Sequence, residues 1–403
     1  MKLLQINVTA NSGSTGRIAE GIGLSVQEAG HESWIAWGRY ANPSRSHLIR
    51  IGRTADYLEH GIESRIFDNH GLASRFATKQ LLRQIETIRP DVVHLHNIHG
   101  YFLNYPLLFD FLKQQDIPAV WTLHDCWPFT GHCAYFIASG CERWKTGCHD
   151  CPQKKTYPAS YIFDRSKKNY DLKKHYFSNL ERLYIVSVSR WLDRLVEESY
   201  LQNHYHTVIR NGIDTKIFSP SPERFAIRHH LHIADDETML LGVAAVWSKR
   251  KGLSDFVELN KLLTARQKIV LIGLSDKQKA ELSADVIGIS HTESVEQLAN
   301  LYSAADLFLN LTYEDNYPTT NLEAISCGTP CLTYQTGGSP EAVTPQTGFV
   351  VPTGDLSAVA GAIREVEKKT KESYSAVCRK HALAHFRQED RFQEYMDLYS
   401  KIK

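Results

Sequence analysis

Short, almost wholly apolar runs recur along the chain, each followed by a polar or glycine-bearing turn and then a stretch of helical periodicity. KLLQINV opens the series, ahead of TANSGSTG and a helix expected from about Arg17 to Ala29, with Gly30 closing it as the first residue past the last turn. PDVVHLHN, PAVWTLHD and LYIVSVS read as further strands, the last leading to a helix that starts near Trp191. After TVIRNGIDTKIFSPSP the rhythm restarts with MLLGVAAV, KIVLIGLS, DVIGIS, DLFLNLT and PCLTY. Apolar runs of this length alternating with helices predict parallel strands buried on both faces. Two such series, split by a polar, proline-containing connection near residues 205–225, predict two doubly wound α/β domains, 1–205 and 206–384. The last segment sets Phe392, Tyr395, Met396 and Tyr399 at helical spacing, so residues 385–403 are expected to form an amphipathic helix that returns to cover the first domain.

The 403 residues suit two domains, and 42% hydrophobic with 23% charged residues describe an ordinary globular chain. A formal net charge of +1 gives no electrostatic case for a nucleic-acid partner. MKLLQINVTANSGSTG lacks the apolar core of a secretion signal, and no run approaches the length of a membrane span. A cytoplasmic location is therefore expected, and it bears on the cysteines. Five of the eight fall between Cys126 and Cys151, a clustering that in a reducing compartment points to metal more than to disulfides.

The densest chemistry lies between Tyr313 and Glu341, in YEDNYPTTNLEAISCGTPCLTYQTGGSPE. Ligands of open α/β sheets bind beyond the carboxyl ends of the strands. YEDNYPTTN follows the strand DLFLNLT, and NLEAIS begins the next helix, whose first backbone N–H groups would face an anion. Glu323, about one turn in, is placed to accept hydrogen bonds from vicinal hydroxyls such as those of a ribose, although acids are common at helix starts for dipole reasons alone.

This passage resembles the donor-site signature of GT-B glycosyltransferases of the large retaining family 4: two acids separated by seven residues, a helix, a Gly-x-Pro turn, a strand and Gly-Gly-x-x-Glu. The matching residues are Asp315, Glu323, Ala324, Gly328, Pro330, Gly337, Gly338 and Glu341. The resemblance implies two facing Rossmann-like domains with a cleft between them. It implies ribose binding by Glu323, and backbone amides from Asn316, Tyr317, Pro318, Thr319 and Thr320 (the prolyl nitrogen excepted) turned to sugar and diphosphate. The first acid is Asp315 where the family has Glu; spacing favours Asp315, with Glu314 beside it as the substitute.

Other stretches extend the likeness. In VAAVWSKRKGLSDF, Lys251-Gly252 matches half of the family's diphosphate-binding pair, but Val246 stands where the family has Arg. Arg250 or Lys249 is then expected to supply the second cation, since phosphate recognition uses at least two. SGSTGR offers Gly13 as the counterpart of a glycine-rich loop that closes on the donor, with Gly16 and Arg17 nearby. His124 ends the strand of VWTLHD, where the family places a histidine on the transferred sugar. His94, His96 and His99 are read as packing or solvent-facing. VIRNGIDTKIF resembles the family's interdomain link through Asn211, Gly212, Asp214 and Phe218. An insert over residues 126–152 resembles the bacterial exopolysaccharide subgroup that includes colanic-acid-type transferases.

Within that insert Cys133, Cys141, Cys148 and Cys151 are spaced C-x7-C-x6-C-x2-C. The closing CxxC is a chelating turn, and four thiolates suit a structural zinc; Cys126 is spare, with His132 and His149 as substitute ligands. The following stretch carries Arg165, Lys167, Lys168, Lys173, Lys174 and Arg182 among aromatics. A solvated helix with Leu172, Tyr176 and Leu180 packed inward is preferred there over a membrane-surface helix at the inner face of the membrane.

The function these features imply is a retaining glycosyltransferase. It would move a sugar from a UDP- or GDP-linked donor to a glycan or polyprenyl-diphosphate-linked acceptor in bacterial surface polysaccharide synthesis. His124, Asp315, Lys251 and Arg250 are its expected catalytic residues, and no catalytic metal is expected. Rival readings are a sugar-nucleotide epimerase or hydrolase, or a non-catalytic nucleotide-sugar-binding protein.

Overall fold

Seven parallel strands form the first sheet: β1 (Lys2–Ala10), β2 (Glu32–Ala41), β3 (His47–Arg50), β4 (Val92–Leu95), β5 (Ala119–Leu123), β6 (Leu183–Ser187) and β7 (Tyr205–Val208). Their order is β3-β2-β1-β4-β5-β6-β7, so the winding reverses between β1 and β4. The computed structural model describes residues 1–403 and divides into two units, Met1–Arg210 with Arg391–Lys403, and Asn211–Asp390. The first unit runs past residue 205 because Tyr205–Val208 pairs with β6 as an edge strand. Its half-exposed YHTV lacks the apolar run that marks the central strands. β2 and β3 also lie outside the strands expected from pattern; ESWIAWGRYA mixes charged residues into a strand that is only partly buried.

The first helix spans Gly13–Glu28 and starts four residues before the expected Arg17. Gly13 adopts φ +65°, a conformation glycine takes without strain, so the chain turns directly from β1 into the helix. The expected glycine loop is therefore mostly first turn. The final helix, Gln388–Ile402, buries Phe392, Tyr395, Leu398, Tyr399 and Ile402 against Leu3, Val92, Val120 and Val186 of the first sheet. Its apolar face is the one the spacing predicted, with Met396 at the edge.

The second sheet holds β8 (Thr238–Val243), β9 (Gln267–Ile272), β10 (Val286–Ile289), β11 (Leu307–Asn310), β12 (Cys331–Tyr334) and β13 (Gly348–Val351). All pair in parallel, in the order β10-β9-β8-β11-β12-β13. The reversal falls between β8 and β11, which places the loops after these two strands side by side.

Candidate active site

The loop after β8 carries Arg250 and Lys251, and the loop after β11 carries Asp315. Lys251 Nζ lies 2.6 Å from Asp315 Oδ2, and the Asn316 backbone N–H donates to Asp315 Oδ1 at 2.9 Å. Arg250 Nη1 donates to the Glu314 carbonyl, while the Arg250 carbonyl accepts from the Tyr313 N–H at 2.8 Å. Burial alone would raise the Asp315 carboxyl, but Lys251 and Arg250 outweigh it and hold it below the usual carboxylate range. Both readings left open by spacing are thereby narrowed. Arg250, not the exposed Lys249, faces the acidic loop, and Asp315 keeps some exposure while Glu314 is buried. Val246 is exposed and makes no cationic substitute.

Two glycines make the close approach of these loops feasible. A Cβ on Gly252 would stand 2.0 Å from the Leu311 carbonyl oxygen, and one on Gly337 would stand 2.0 Å from that of Asp315. Both have positive φ, at +75° and +56°. The Gly338 N–H then donates to the Asp315 carbonyl at 3.1 Å, so the Gly-Gly turn carries the backbone of the acid.

The helix beyond this loop spans Thr319–Ser326, two residues earlier than expected, after Pro318 in extended backbone. Asn316, Tyr317 and Pro318 are buried, and the Tyr317 carbonyl accepts from Asn211 Nδ2 at 3.1 Å. Thr319 and Thr320, half-buried, carry the first-turn N–H groups that a helix cannot satisfy internally. Glu323 is buried at 8% exposure and accepts a hydrogen bond from Tyr302 Oη at 2.9 Å. Its carboxylate thus has a structural partner, so an alanine there would disturb packing as well as any ligand.

In the first unit, His124 follows directly on β5. Its Nε2 lies 3.2 Å from His96 Nδ1, and the two rings stack at 5.4 Å. His96 Nε2 in turn lies 3.0 Å from Gln5 Oε1, and Gln5 Nε2 donates to the Ala19 carbonyl. That orientation of Gln5 requires His96 to be protonated on Nε2. Burial lowers His96 well below the ordinary imidazole value, so the neutral ring offers Nδ1 as an acceptor and His124 must donate from Nε2. Burial likewise pushes His124 down to about 4, against an opposing pull from Asp125. The neutral His124 ring therefore carries its acceptor lone pair on Nδ1.

His96, read from sequence as packing, is the residue that sets the His124 tautomer. Beside it, His99 Nε2 contacts Asp125 Oδ2 at 2.7 Å and His99 Nδ1 contacts Tyr157 Oη at 2.8 Å. Sequence reading gave His96 and His99 no part in the site and passed over Asp125 and Tyr302. The HLHNIH run was the available signal for the histidines, since alternate residues of a strand share a face; nothing in sequence linked Tyr302 to Glu323. His94 does belong to the core, bonded to Thr122 and to Tyr399 of the final helix. Gly13 sits at the amino end of the first helix, exposed, with open space where a Cβ would stand.

The basic helix spans Ser166–Ser178, and its inward face is Tyr170, Lys173 and Phe177, with Leu172 and Tyr176 only half-buried. Leu180, just past the helix, is buried as expected, while within the helix the inward stripe is shifted by one position. Lys173 reaches inward because its ammonium finds the carbonyls of Trp127 and Thr130 at 2.8 and 3.1 Å and lies 3.5 Å over the Trp127 ring. Burial pulls it down to about 7. Cys133 is buried; Cys141, Cys148 and Cys151 are half-buried, and all are free thiols. Three ligating atoms within 4.8 Å of one another occur elsewhere, on Asp193, Glu197 and His206. Two of those are one turn apart on a single helix, and His206 Nδ1 already contacts Asp193 Oδ1 at 3.1 Å.

Two parallel-sheet α/β domains, each with polar groups gathered at the end of the sheet where its strand order reverses, are the build of the GT-B architecture, and the family matches give that architecture its class of activity. Residues 16–217 match the family described as Glycosyltransferase Family 4, and residues 223–382 match Glycosyl transferases group 1. The chain belongs to glycosyltransferase family 4. It is 25% identical over 370 residues to WcaC of Escherichia coli K12, a glycosyl transferase ascribed to colanic acid biosynthesis, with 87% of each chain covered. Among solved structures it resembles sucrose-phosphate synthase of Thermosynechococcus elongatus, with TM-score 0.73 and 16% identity over 100% of this chain and 98% of that one. HepE of Anabaena in complex with UDP-glucose gives TM-score 0.69 and 14% identity, with 100% of both chains covered. The structural likenesses carry the fold; the family match carries the class of activity. No helix is long and apolar enough to cross a membrane.

Proposed function

We propose that the enzyme transfers a sugar, with retention of anomeric configuration, from a nucleoside diphosphate sugar to a hydroxyl of a glycan or lipid-linked acceptor during bacterial surface polysaccharide synthesis. The observation that carries this reading is the Lys251–Asp315 pair, with Arg250 alongside, at the strand-order reversal of the second unit. A donor diphosphate brings more negative charge than one carboxylate and would draw Lys251 away from Asp315. Asp315 is then released to accept hydrogen bonds from the sugar hydroxyls. Lys251, Arg250 and the N–H groups of Thr319 and Thr320 neutralise the diphosphate, so this chemistry asks no catalytic divalent cation of the protein. Glu323 accepts from the ribose hydroxyls while keeping Tyr302.

His124, as a neutral ring with Nδ1 as acceptor, holds a hydroxyl of the transferred sugar. The acceptor oxygen attacks the anomeric carbon on the face from which the diphosphate leaves. The bond to the diphosphate oxygen breaks, and that oxygen takes the acceptor's proton. The protein contributes position and charge stabilisation. The UDP-glucose held by HepE favours a uridine nucleotide, and the colanic acid role given to WcaC favours a surface-glycan acceptor. Exposed Tyr161, Ile162 and Phe163 ahead of Lys167 and Lys168 support peripheral contact with an anionic membrane.

The test is incubation with UDP- and GDP-linked sugars, with and without glycan and polyprenyl-linked acceptors, and NMR assignment of the product anomer. Acceptor-dependent transfer with retention supports the proposal. Acceptor-independent donor hydrolysis or an epimerised nucleotide sugar would place the chain with the rival activities, and an inverted anomer would reject the stereochemistry.

A further inference from the structure

The insert after His124 buries Trp127, Phe129, Phe136 and Trp144, and it brings Cys133, Cys148 and Cys151 near one another beside them. The Cys133 thiol donates to Cys151 Sγ, and Cys148 lies close enough to both for their charges to interact. Gly131 brings the chain onto Cys148: its N–H donates to Cys148 Sγ at 3.1 Å, and a Cβ on it would stand 2.7 Å from Cys148 Cβ. The Gln153 N–H donates to Cys151 Sγ, and the Cys151 N–H donates to Asp164 Oδ2 at 2.7 Å. Backbone N–H groups thus reach two of the sulfurs.

Beside these thiols stands His132, whose side chain is fully buried. Its Nδ1 lies 2.6 Å from Asp68 Oδ1, and the other oxygen of Asp68 accepts from the Arg165 N–H at 2.8 Å. A carboxylate only accepts, so Nδ1 carries the proton and donates. Nε2 is then left buried with no hydrogen-bond partner. An orphaned buried polar atom calls for a ligand, and the imidazole is held as histidines behind metals are held, by a carboxylate on the far nitrogen. Cys141 is half-buried like Cys148 and Cys151, and it lies close enough to Cys148 for their charges to interact.

We infer that Cys133, Cys148, Cys151 and His132 bind one structural zinc ion, with Asp68 orienting the histidine from behind. His132 takes the place that spacing gave to Cys141. Three thiolates and one imidazole suit the tetrahedral ion, which would draw the sulfurs to about 2.3 Å and Nε2 to about 2.0–2.1 Å from its centre. The ion would pin residues 131–133 to residues 148–151, and Cys126, whose N–H donates to the Ala134 carbonyl at 3.1 Å, closes the base of this loop two residues after His124. The site therefore braces the end of β5 from which His124 projects, and its formation would appear as local folding free energy.

Elemental analysis of full-length protein purified without chelators, with X-ray absorption at the zinc edge, tests the assignment without any mutation. About one zinc per chain in a shell of three sulfurs and one nitrogen is expected, and Cys141→Ser should retain it. Cys148→Ser and His132→Ala should lower zinc content at least tenfold in whatever folded fraction is recovered. Freshly purified reduced protein without zinc overturns the site. A four-sulfur shell, or zinc lost in Cys141→Ser and kept in His132→Ala, overturns the assignment of His132.

Discussion

In the second unit the groups at the strand ends are ions: Lys251 and Asp315 face each other at 2.6 Å, with Arg250 against the same loop. In the first unit His124 and His96 are neutral rings, His124 set by His96 and His96 by Gln5, with the Asp125 carboxyl bonded to His99 beside them. Burial accounts for the difference. Asp315 and Lys251 keep 18% and 24% side-chain exposure, and Lys251 with Arg250 holds the Asp315 carboxyl below its usual range. The two histidines share a buried site in which a second positive charge would be repelled, so both stay neutral. An ionic site can be claimed by a more highly charged ligand, whereas a neutral, hydrogen-bonded one holds its geometry when the ligand arrives. The first arrangement suits a diphosphate and the second suits a sugar hydroxyl.

If the ions are the working parts, Lys251→Ala should have the largest effect. A loss of transfer on the order of 100- to 1000-fold is expected, with the melting temperature little changed because the pair is partly exposed. Steady-state kinetics beside a thermal melt measures both; a near-normal rate would remove the ionic half of the comparison. Next in size is Glu323. Both Glu323→Gln and Glu323→Ala should weaken donor binding about tenfold to a hundredfold by calorimetry. Only the alanine strands the buried Tyr302 hydroxyl, so it alone should cost about 1–3 kcal/mol in a denaturant titration. Equal stability of the two variants would mean that Tyr302 draws nothing from this bond.

His124→Ala should lower turnover by about tenfold and leave nucleotide diphosphate affinity near wild type, since the ring is expected on the sugar alone. A loss of nucleotide affinity instead would break the division of labour between the units. A smaller effect belongs to pH. His124 titrates near 4 and His60 near 3 in the folded chain, against 6.5 when free, so the unfolded chain binds protons across this interval that the folded chain does not. Their stabilising contribution is complete above about 6.5 and declines as the pH falls towards 4. Melting temperatures across that range should fall with acid and level off above it; a flat profile would mean the rings are not held neutral. The smallest effect expected is none. EDTA should not reduce transfer while the fold is intact, and activity restored only by Mg²⁺ or Mn²⁺ would show that Lys251 and Arg250 do not suffice.

Much of this architecture was legible as pattern. Strands such as VVHL and CLTY are buried at every position, and a parallel sheet covered on both faces demands that composition. The final helix announced its apolar face through the spacing of Phe392, Tyr395 and Tyr399. The acids and glycines of the segment from Tyr313 to Glu341 could be found because a strand-end loop followed by a helix start is a local arrangement, and its pieces are consecutive in the chain. By contrast, YHTV and ESWIAWGRYA became strands through their neighbours in the sheet, a long-range condition that local composition carries poorly.

The choice of Arg250 over Lys249, the tautomer of His124, the bond from Tyr302 to Glu323 and the orphaned nitrogen of His132 came only with the tertiary structure. Each depends on residues that topology brings together across long separations: 64 positions from Arg250 to Glu314, 91 from Gln5 to His96, 21 from Tyr302 to Glu323 and 64 from Asp68 to His132. Sequence alone determined which chemical groups the chain carries and which face or loop holds them, because periodicity and turn chemistry act over a few residues. Which group meets which, and in what protonation state, was decided by the crossing of distant loops at the strand-order reversals and by the burial that this crossing creates.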